Sequence, residues 1–161
     1  MTIQTEPITK KGYEKLRAEL ERLRSEERIK IAKEIEHARS YGDLSENAEY
    51  QYAKEKQALI EAKIRDLEDK LARARVIDPA QLSGDKVTFG AWVELEDIET
   101  GERVRYQIVG SFEAEPEQGK ISYQSPLARA LIGKEEGDDV VIKTPKGEKT
   151  YEIIKVEFSS D

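Results

Sequence analysis

Apolar residues in the first half of the chain recur at helical spacing. They fall at Tyr13, Leu16, Leu20 and Leu23, then at Ile31, Ile35 and Ala38, and the early steps of 3, 4 and 3 are heptad-like. From Leu23 to Ile35 the seam is bridged only by steps of four, through Glu27 and Ile31, which reads as a stutter, a local change in supercoil. The pattern predicts a helix from about Gly12 to Tyr41, with Thr9 as its N-cap and Gly42 as the left-handed residue beyond its end. A second seam runs through Ala53, Gln57, Ile60, Ile64, Leu67, Leu71 and Ala74. It predicts a second helix that starts near Asp43 or Ser45 and is ended by Asp78–Pro79. Two such helices joined by a short turn lie antiparallel, each about 40 Å long. A pair this thin has no globular core, so its narrow seam and exposed ion pairs such as Glu61 with Arg65 are expected to hold it.

From Val87 the period shortens. Short strands are predicted at Val87–Phe89, Trp92–Leu95, Val104–Val109, Ile121–Tyr123, Val140–Ile142 and Tyr151–Val156, punctuated by Gly101, Gly119, Gly137 and Pro145–Gly147. Ser125 to Gly133 reads as one short helix with Ser125 as N-cap, Pro126 at its first position and Gly133 as its stop. The fold class is therefore α+β: an N-terminal antiparallel two-helix coiled-coil hairpin over 1–77, then a small, mostly antiparallel β domain with one short helix over 78–161. Residues 76–86 form the boundary.

Charge narrows the function classes. Charged residues make up 38% of the 161 and apolar residues 37%, which fits an exposed helical element with polar surface on most sides. The net charge of −7 is uneven: residues 1–77 hold 17 basic against 16 acidic side chains, and residues 78–161 hold 10 against 18. Duplex DNA as the main partner is disfavoured, because it usually requires a net basic domain. There is no cysteine, hence no disulfide framework, thiolate metal site or thiol nucleophile. No apolar run approaches the roughly 20 residues that cross a bilayer, and no signal segment opens the chain. A cytoplasmic protein without membrane partners is expected.

The residues most suggestive of chemistry sit at the turn of the hairpin, Gly42 to Tyr50, which reads GDLSENAEY. Asp43 and Glu46 are three residues apart and admit two readings. In one they form a capping box at the start of the second helix, aided by its positive end. In the other their oxygens complete the shell of a hard divalent cation such as Mg²⁺, which two carboxylates cannot hold tightly alone. A partner would then supply the remaining ligands.

This turn and the segment ISYQSPLARALIGKEEGDDVVIKTPKGEKTYEIIKV resemble the GreA/GreB family of bacterial transcript cleavage factors over nearly the whole chain. The DLSEN turn and SPLARALIGK are GreA-like within it. The resemblance implies that the second domain is FKBP-like and docks on bacterial RNA polymerase, and that the hairpin enters the polymerase secondary channel. It implies that Asp43 and Glu46 help hold an Mg²⁺ shared with the polymerase, which the free protein does not bind tightly. They then promote the polymerase's own hydrolysis of backtracked nascent RNA, the chain being a cofactor and not an enzyme. Asp43 is read chiefly as a metal ligand. Glu46 completes the shell or accepts a proton from the attacking water. Ser45 and Asn47 are supporting residues, Asn47 by orienting its neighbours. A monomer is expected.

Other residues carry two readings each. Lys30, Lys33 and Arg39, with Lys54 and Lys56, are candidates for contacting RNA phosphates or form a solvated face interleaved with Glu34, Glu36 and Glu55. Tyr41, Tyr50 and Tyr52 stack on an unpaired base or seal the end of the hairpin. His37 is read as a surface or seam residue. Ser125 and Pro126 are candidate polymerase contacts as well as a helix start. Phe89 and Trp92 are read as core and Lys134 to Asp139 as a solvated turn. The competing functions are a prolyl isomerase, which needs an aromatic-lined pocket, and a coiled-coil adaptor or a channel-binding regulator that does not cleave.

Overall fold

The computed structural model describes residues 4–42 and 47–159. Strand β1 (Glu6–Thr9) leads into helix α1 (Lys10–Arg22), a π-helical segment (Leu23–Glu27) and helix α2 (Arg28–Arg39). Helix α3 (Ala48–Arg73) runs directly into strand β2 (Ala74–Ile77). By spatial proximity the chain divides into two units, Glu14–Arg73 and a second made of the residues up to Tyr13 together with those from Ala74 onward.

In the helical unit the predicted seam is present. Leu20, Leu23 and Ile31 pack against Ala53, Ile60, Ile64 and Leu67, with Leu16, Ile35 and Leu71 half-buried at the margins. The stutter has a definite form. At Leu23–Glu27 the helix widens, and the Arg28 N–H bonds to the Leu23 carbonyl five residues back. A π turn takes up one extra residue, which returns Ile31 and Ile35 to the seam after a polar position at Glu27. Glu61 finds a different partner from the one expected. It accepts two hydrogen bonds of 2.8 Å from Arg28 across the hairpin, while Arg65 acts on it only through its field. Arg24 and Glu68 make a second cross-hairpin pair at 2.8 Å.

The other unit holds a five-stranded sheet of order β5-β4-β3-β7-β6. Its strands are β3 (Ala91–Asp97), β4 (Arg103–Val109), β5 (Lys120–Ser122), β6 (Asp139–Thr144) and β7 (Gly147–Phe158). All neighbouring pairs are antiparallel except β4 with β5. Val93, Leu95, Ile108 and Ile153 bury one face under helix α4 (Pro126–Leu131), which contributes Ala128 and Leu131. Val87–Phe89, expected as a strand, forms no ladder. Val87 instead exchanges two hydrogen bonds with the 133–134 turn, 2.7 Å to the Lys134 carbonyl and 2.8 Å from the Gly133 N–H. Trp92 is buried but stands on the opposite sheet face from Val93 and Leu95, with the Arg105 guanidinium 4.0 Å above its ring. Phe89 is half-buried, edge-on to Tyr123.

The second helix was expected to run past Ala74, but it stops at Arg73, and Ala74–Ile77 pairs in parallel with Glu6–Thr9. Ala74 continues the apolar period of the helix, while the following Arg-Val-Ile favours extended backbone once a partner strand is present. Among the described residues no helix is long and apolar enough to cross a membrane.

Candidate functional site

Asp43, Leu44, Ser45 and Glu46 lie outside the described residues, so the expected capping box and metal-ligand pair lie outside them too. The frame on either side is described in full. Helix α2 ends at Arg39, and Gly42 takes a φ of 104°, the positive value foreseen for the residue beyond the helix end. On the other side Asn47 is the N-cap of α3. Its Oδ1 accepts from the Tyr50 N–H at 3.1 Å, and its Nδ2 donates to the Ala38 carbonyl at 2.6 Å. One amide thus satisfies an orphan donor at the start of α3 and gives a further donor to a carbonyl at the end of α2, which also accepts from the Tyr41 N–H at 3.2 Å. A carboxylate there would keep the cap but lose the donor.

Beside this frame, the Tyr41 hydroxyl lies 2.9 Å from His37 Nε2, and the two rings meet edge to face at 5.2 Å. His37 is exposed, in keeping with a surface residue. Tyr41 and Tyr52 are 61% and 67% exposed, whereas Tyr50 is half-buried. The first two therefore present ring surface to solvent. Lys30, Lys33 and Arg39 are all exposed, but helical geometry does not gather them. At about 100° per residue Lys30 and Lys33 share one side of α2, and Arg39 faces the opposite way from Lys30. Lys54 bonds to Gln57 at 3.1 Å, and Lys56 lies 3.8 Å from Glu34. Lys30, Lys33 and Arg39 thus do not form one stripe along α2.

In the sheet unit the Ser125 hydroxyl accepts from the Ala128 N–H at 3.2 Å, which makes it the predicted N-cap. Pro126 beside it is exposed. Tyr106, Tyr123, Tyr151 and Phe158 pack against the core. One recess in this unit, of about 210 Å³, is lined by Trp92, Glu94, Arg105, Lys155 and Glu157. Its walls are charged: Arg105 reaches Glu157 at 3.4 Å, and Lys155 holds the Glu157 carboxyl below its ordinary value through a hydrogen bond and its field. It is not the aromatic pocket that a prolyl isomerase needs.

Among the described residues no group of three or more histidine or carboxylate side chains is placed to hold a metal ion. Asp43 and Glu46 supply the hard oxygen donors that Mg²⁺ takes, but only two of the roughly six it requires. The donor set suits a site completed by another molecule.

Two family patterns match the chain. "Transcription elongation factor, N-terminal" covers residues 6–76, and "Transcription elongation factor, GreA/GreB, C-term" covers residues 82–158. The chain is similar to the transcription elongation factor GreA of a Nitratiruptor species, with 56% identity over 96% of this chain and 94% of that one. It is similar to that of an Anaeromyxobacter species, with 57% identity over 97% of this chain and 94% of the relative. Among solved structures, GreA factor homolog 1 of Thermus thermophilus is 35% identical over 96% of this chain and 99% of its own, with a TM-score of 0.44.

Proposed function

Because this chain belongs to the GreA/GreB family of transcription elongation factors, we propose that its hairpin turn delivers Asp43 and Glu46 to the catalytic centre of RNA polymerase, through the secondary channel. The chain is a transcript cleavage factor acting on RNA polymerase. It stimulates hydrolysis by the polymerase and is not itself the enzyme. The observation that carries the reading is local: the two acids fall in the connection between α2 and α3, and Asn47 ties together the helix ends that flank it. We place the protein in the cytoplasm as a monomer.

In the mechanism Asp43 and Glu46 bring anionic oxygens to a cation shared with the polymerase. Held by these residues together with the polymerase, an Mg²⁺ would supply activation of the attacking water and stabilisation of charge on the phosphodiester. Asp43 is chiefly a ligand. Glu46 completes the shell or takes the proton of the attacking water, which requires it within hydrogen-bond reach of that water. Ser45 helps position the water or the RNA. Lys30, Lys33 and Arg39 attract RNA phosphates as single charges. Tyr41 and Tyr52 offer more ring surface to an unpaired base than Tyr50, which is partly covered. Pro126 is the exposed member of the pair assigned to gripping the polymerase, while the Ser125 hydroxyl is spent on the helix cap.

The test adds the protein and Mg²⁺ to backtracked elongation complexes. Short RNA fragments carrying the 3′ end support cleavage stimulation. Tight binding without fragments favours the second reading, a channel-bound regulator that does not cleave.

A further inference from the structure

Helix α1 begins in an unusual polar clamp. Glu113, in the turn after β4, points its carboxylate at the junction of β1 and α1. One oxygen accepts from the Thr9 N–H at 2.7 Å and from the Gly110 N–H at 2.9 Å. The other accepts from the Thr9 hydroxyl, which in turn accepts from the Gly12 N–H at 3.1 Å. Glu113 thereby reaches the first turn of the helix through the helix's own N-cap. Thr9 is 4% exposed and Ile8 is fully buried, so the junction is held in a dry, well-packed setting.

Two glycines show how tight the fit is. A Cβ on Gly12 would lie 2.1 Å from Glu113 Oε1, and a Cβ on Gly110 would lie 2.1 Å from the Pro7 carbonyl oxygen. Both positions are filled by backbone and carboxylate where any other residue has a side chain. The Tyr123 hydroxyl adds a further tie, donating to Glu6 at 2.8 Å.

Fold stability alone does not call for this arrangement at the start of a helix, where a threonine cap suffices. The helix that starts there leads through the π segment to Arg39, thirty residues and about 45 Å of chain. A misplacement of about 1 Å at a reacting centre can cost 100-fold in rate. We propose that Glu113 is a positioning residue of the cleavage reaction: it fixes the first turn of α1 to the sheet unit, so that the polymerase's hold on that unit sets where the helix leading to Asp43 and Glu46 begins. The inference rests on the function proposed above.

The experiment compares wild type, Glu113→Ala, Glu113→Gln and the double variant Gly12→Cys/Glu113→Cys in fragment release from backtracked complexes, across a range of factor concentrations. Glu113→Ala is expected to lower the maximal rate about tenfold or more, leaving the half-saturating concentration within about twofold. A purely structural part moves the melting temperature but neither kinetic constant below it. The double variant restores a tether without the carboxylate. A Cβ on Gly12 lies 3.0 Å from the Glu113 Cβ, a small adjustment short of the roughly 3.5–4.5 Å that a disulfide spans. The chain has no other cysteine to interfere. Oxidised, it is expected to recover at least about a third of the wild-type maximal rate, and reduced, to fall to the Glu113→Ala level, given the scale of positioning effects. Should alanine leave the chain unfolded, the glutamine variant and the redox pair carry the comparison. Equal maximal rates for wild type and Glu113→Ala, a loss confined to half-saturation, or an oxidised form no faster than the reduced one each overturn the inference while leaving the functional reading intact. A wild type that releases no fragments sinks both.

Discussion

Replacing Asn47 by serine and by alanine separates two bonds that one side chain makes. Alanine removes the cap on Tyr50 and the tie to the Ala38 carbonyl. Losing an N-cap costs about 1 kcal/mol, and losing a hydrogen bond of ordinary net strength costs about 0.5–1.5 kcal/mol. The alanine variant should therefore lose about 1.5–2.5 kcal/mol at the two helix ends. Serine caps nearly as well as asparagine, but its hydroxyl is too short to span the hairpin, so it should lose only the second contribution. Native-state hydrogen exchange reads the two places separately. The Tyr50 amide reports the cap, and the Tyr41 and Gly42 amides, bonded to Ala38 and Arg39, report the end of α2. In the alanine variant all three should exchange faster, Tyr50 by about five- to tenfold for a loss near 1 kcal/mol. In the serine variant Tyr50 should stay protected while Tyr41 and Gly42 speed up. Wild-type protection at Tyr41 and Gly42 in the serine variant would refute the claim that Asn47 holds the two helix ends together.

Further outcomes follow from the packing and charges. Ile64 is 1% exposed in the seam, so Ile64→Ala should destabilise the helical unit by about 2–4 kcal/mol in a denaturant melt, towards the lower end if the thin pair closes over the gap. Arg28 holds the Glu61 carboxyl below its ordinary value, first by its hydrogen bond and then by its field. That contribution is complete above the unfolded carboxyl's pKa, about 4.3, and fades as pH falls through the lower folded value. Glu61→Gln should accordingly lower the melting temperature most at pH 7, by the small amount an exposed ion pair contributes, and flatten the acid side so that the variant and wild-type profiles converge as pH falls below about 4.3. Pro126→Asp should weaken polymerase binding by about tenfold, a loss near 1.4 kcal/mol, without altering the melt. Unchanged affinity would remove Pro126 from the docking surface.

How much of this was legible beforehand depends on how local each signal is. Thr9, Ser125 and Gly42 announced helix ends because caps and left-handed glycines act within a few residues. The extra residue in the first seam was visible as a phase error between Leu23 and Ile35, although the pattern alone did not specify a π turn. Strands β1 and β2 were hidden because each is four residues long and they pair only with each other, across the whole hairpin. The Arg28–Glu61 pair was hidden for the same reason. A sequence offers Glu61 and Arg65 as helical neighbours and says nothing about which residue of the other helix faces them. Glu113 carried no local motif at all, yet two glycines, Gly12 and Gly110, marked where its carboxylate and the β1 backbone need room. At the turn, residue type and spacing were legible in Asp43 and Glu46, and the resemblance supplied their role. The tie made by Asn47 became visible only with both helix ends in view.

The central claim is that Asp43 and Glu46 act in RNA cleavage and not in attachment. The measurement that bears on it most directly is fragment release from backtracked complexes at saturating factor, with wild type, Asp43→Ala and Glu46→Ala side by side and polymerase affinity determined for each. Each substitution should reduce the cleavage rate by about 100-fold or more, the scale of losing a charge-stabilising group at a reacting centre, with affinity within about twofold of wild type. A loss of affinity that matches the loss of cleavage would make the turn a docking element, and undiminished cleavage would remove both acids from the chemistry.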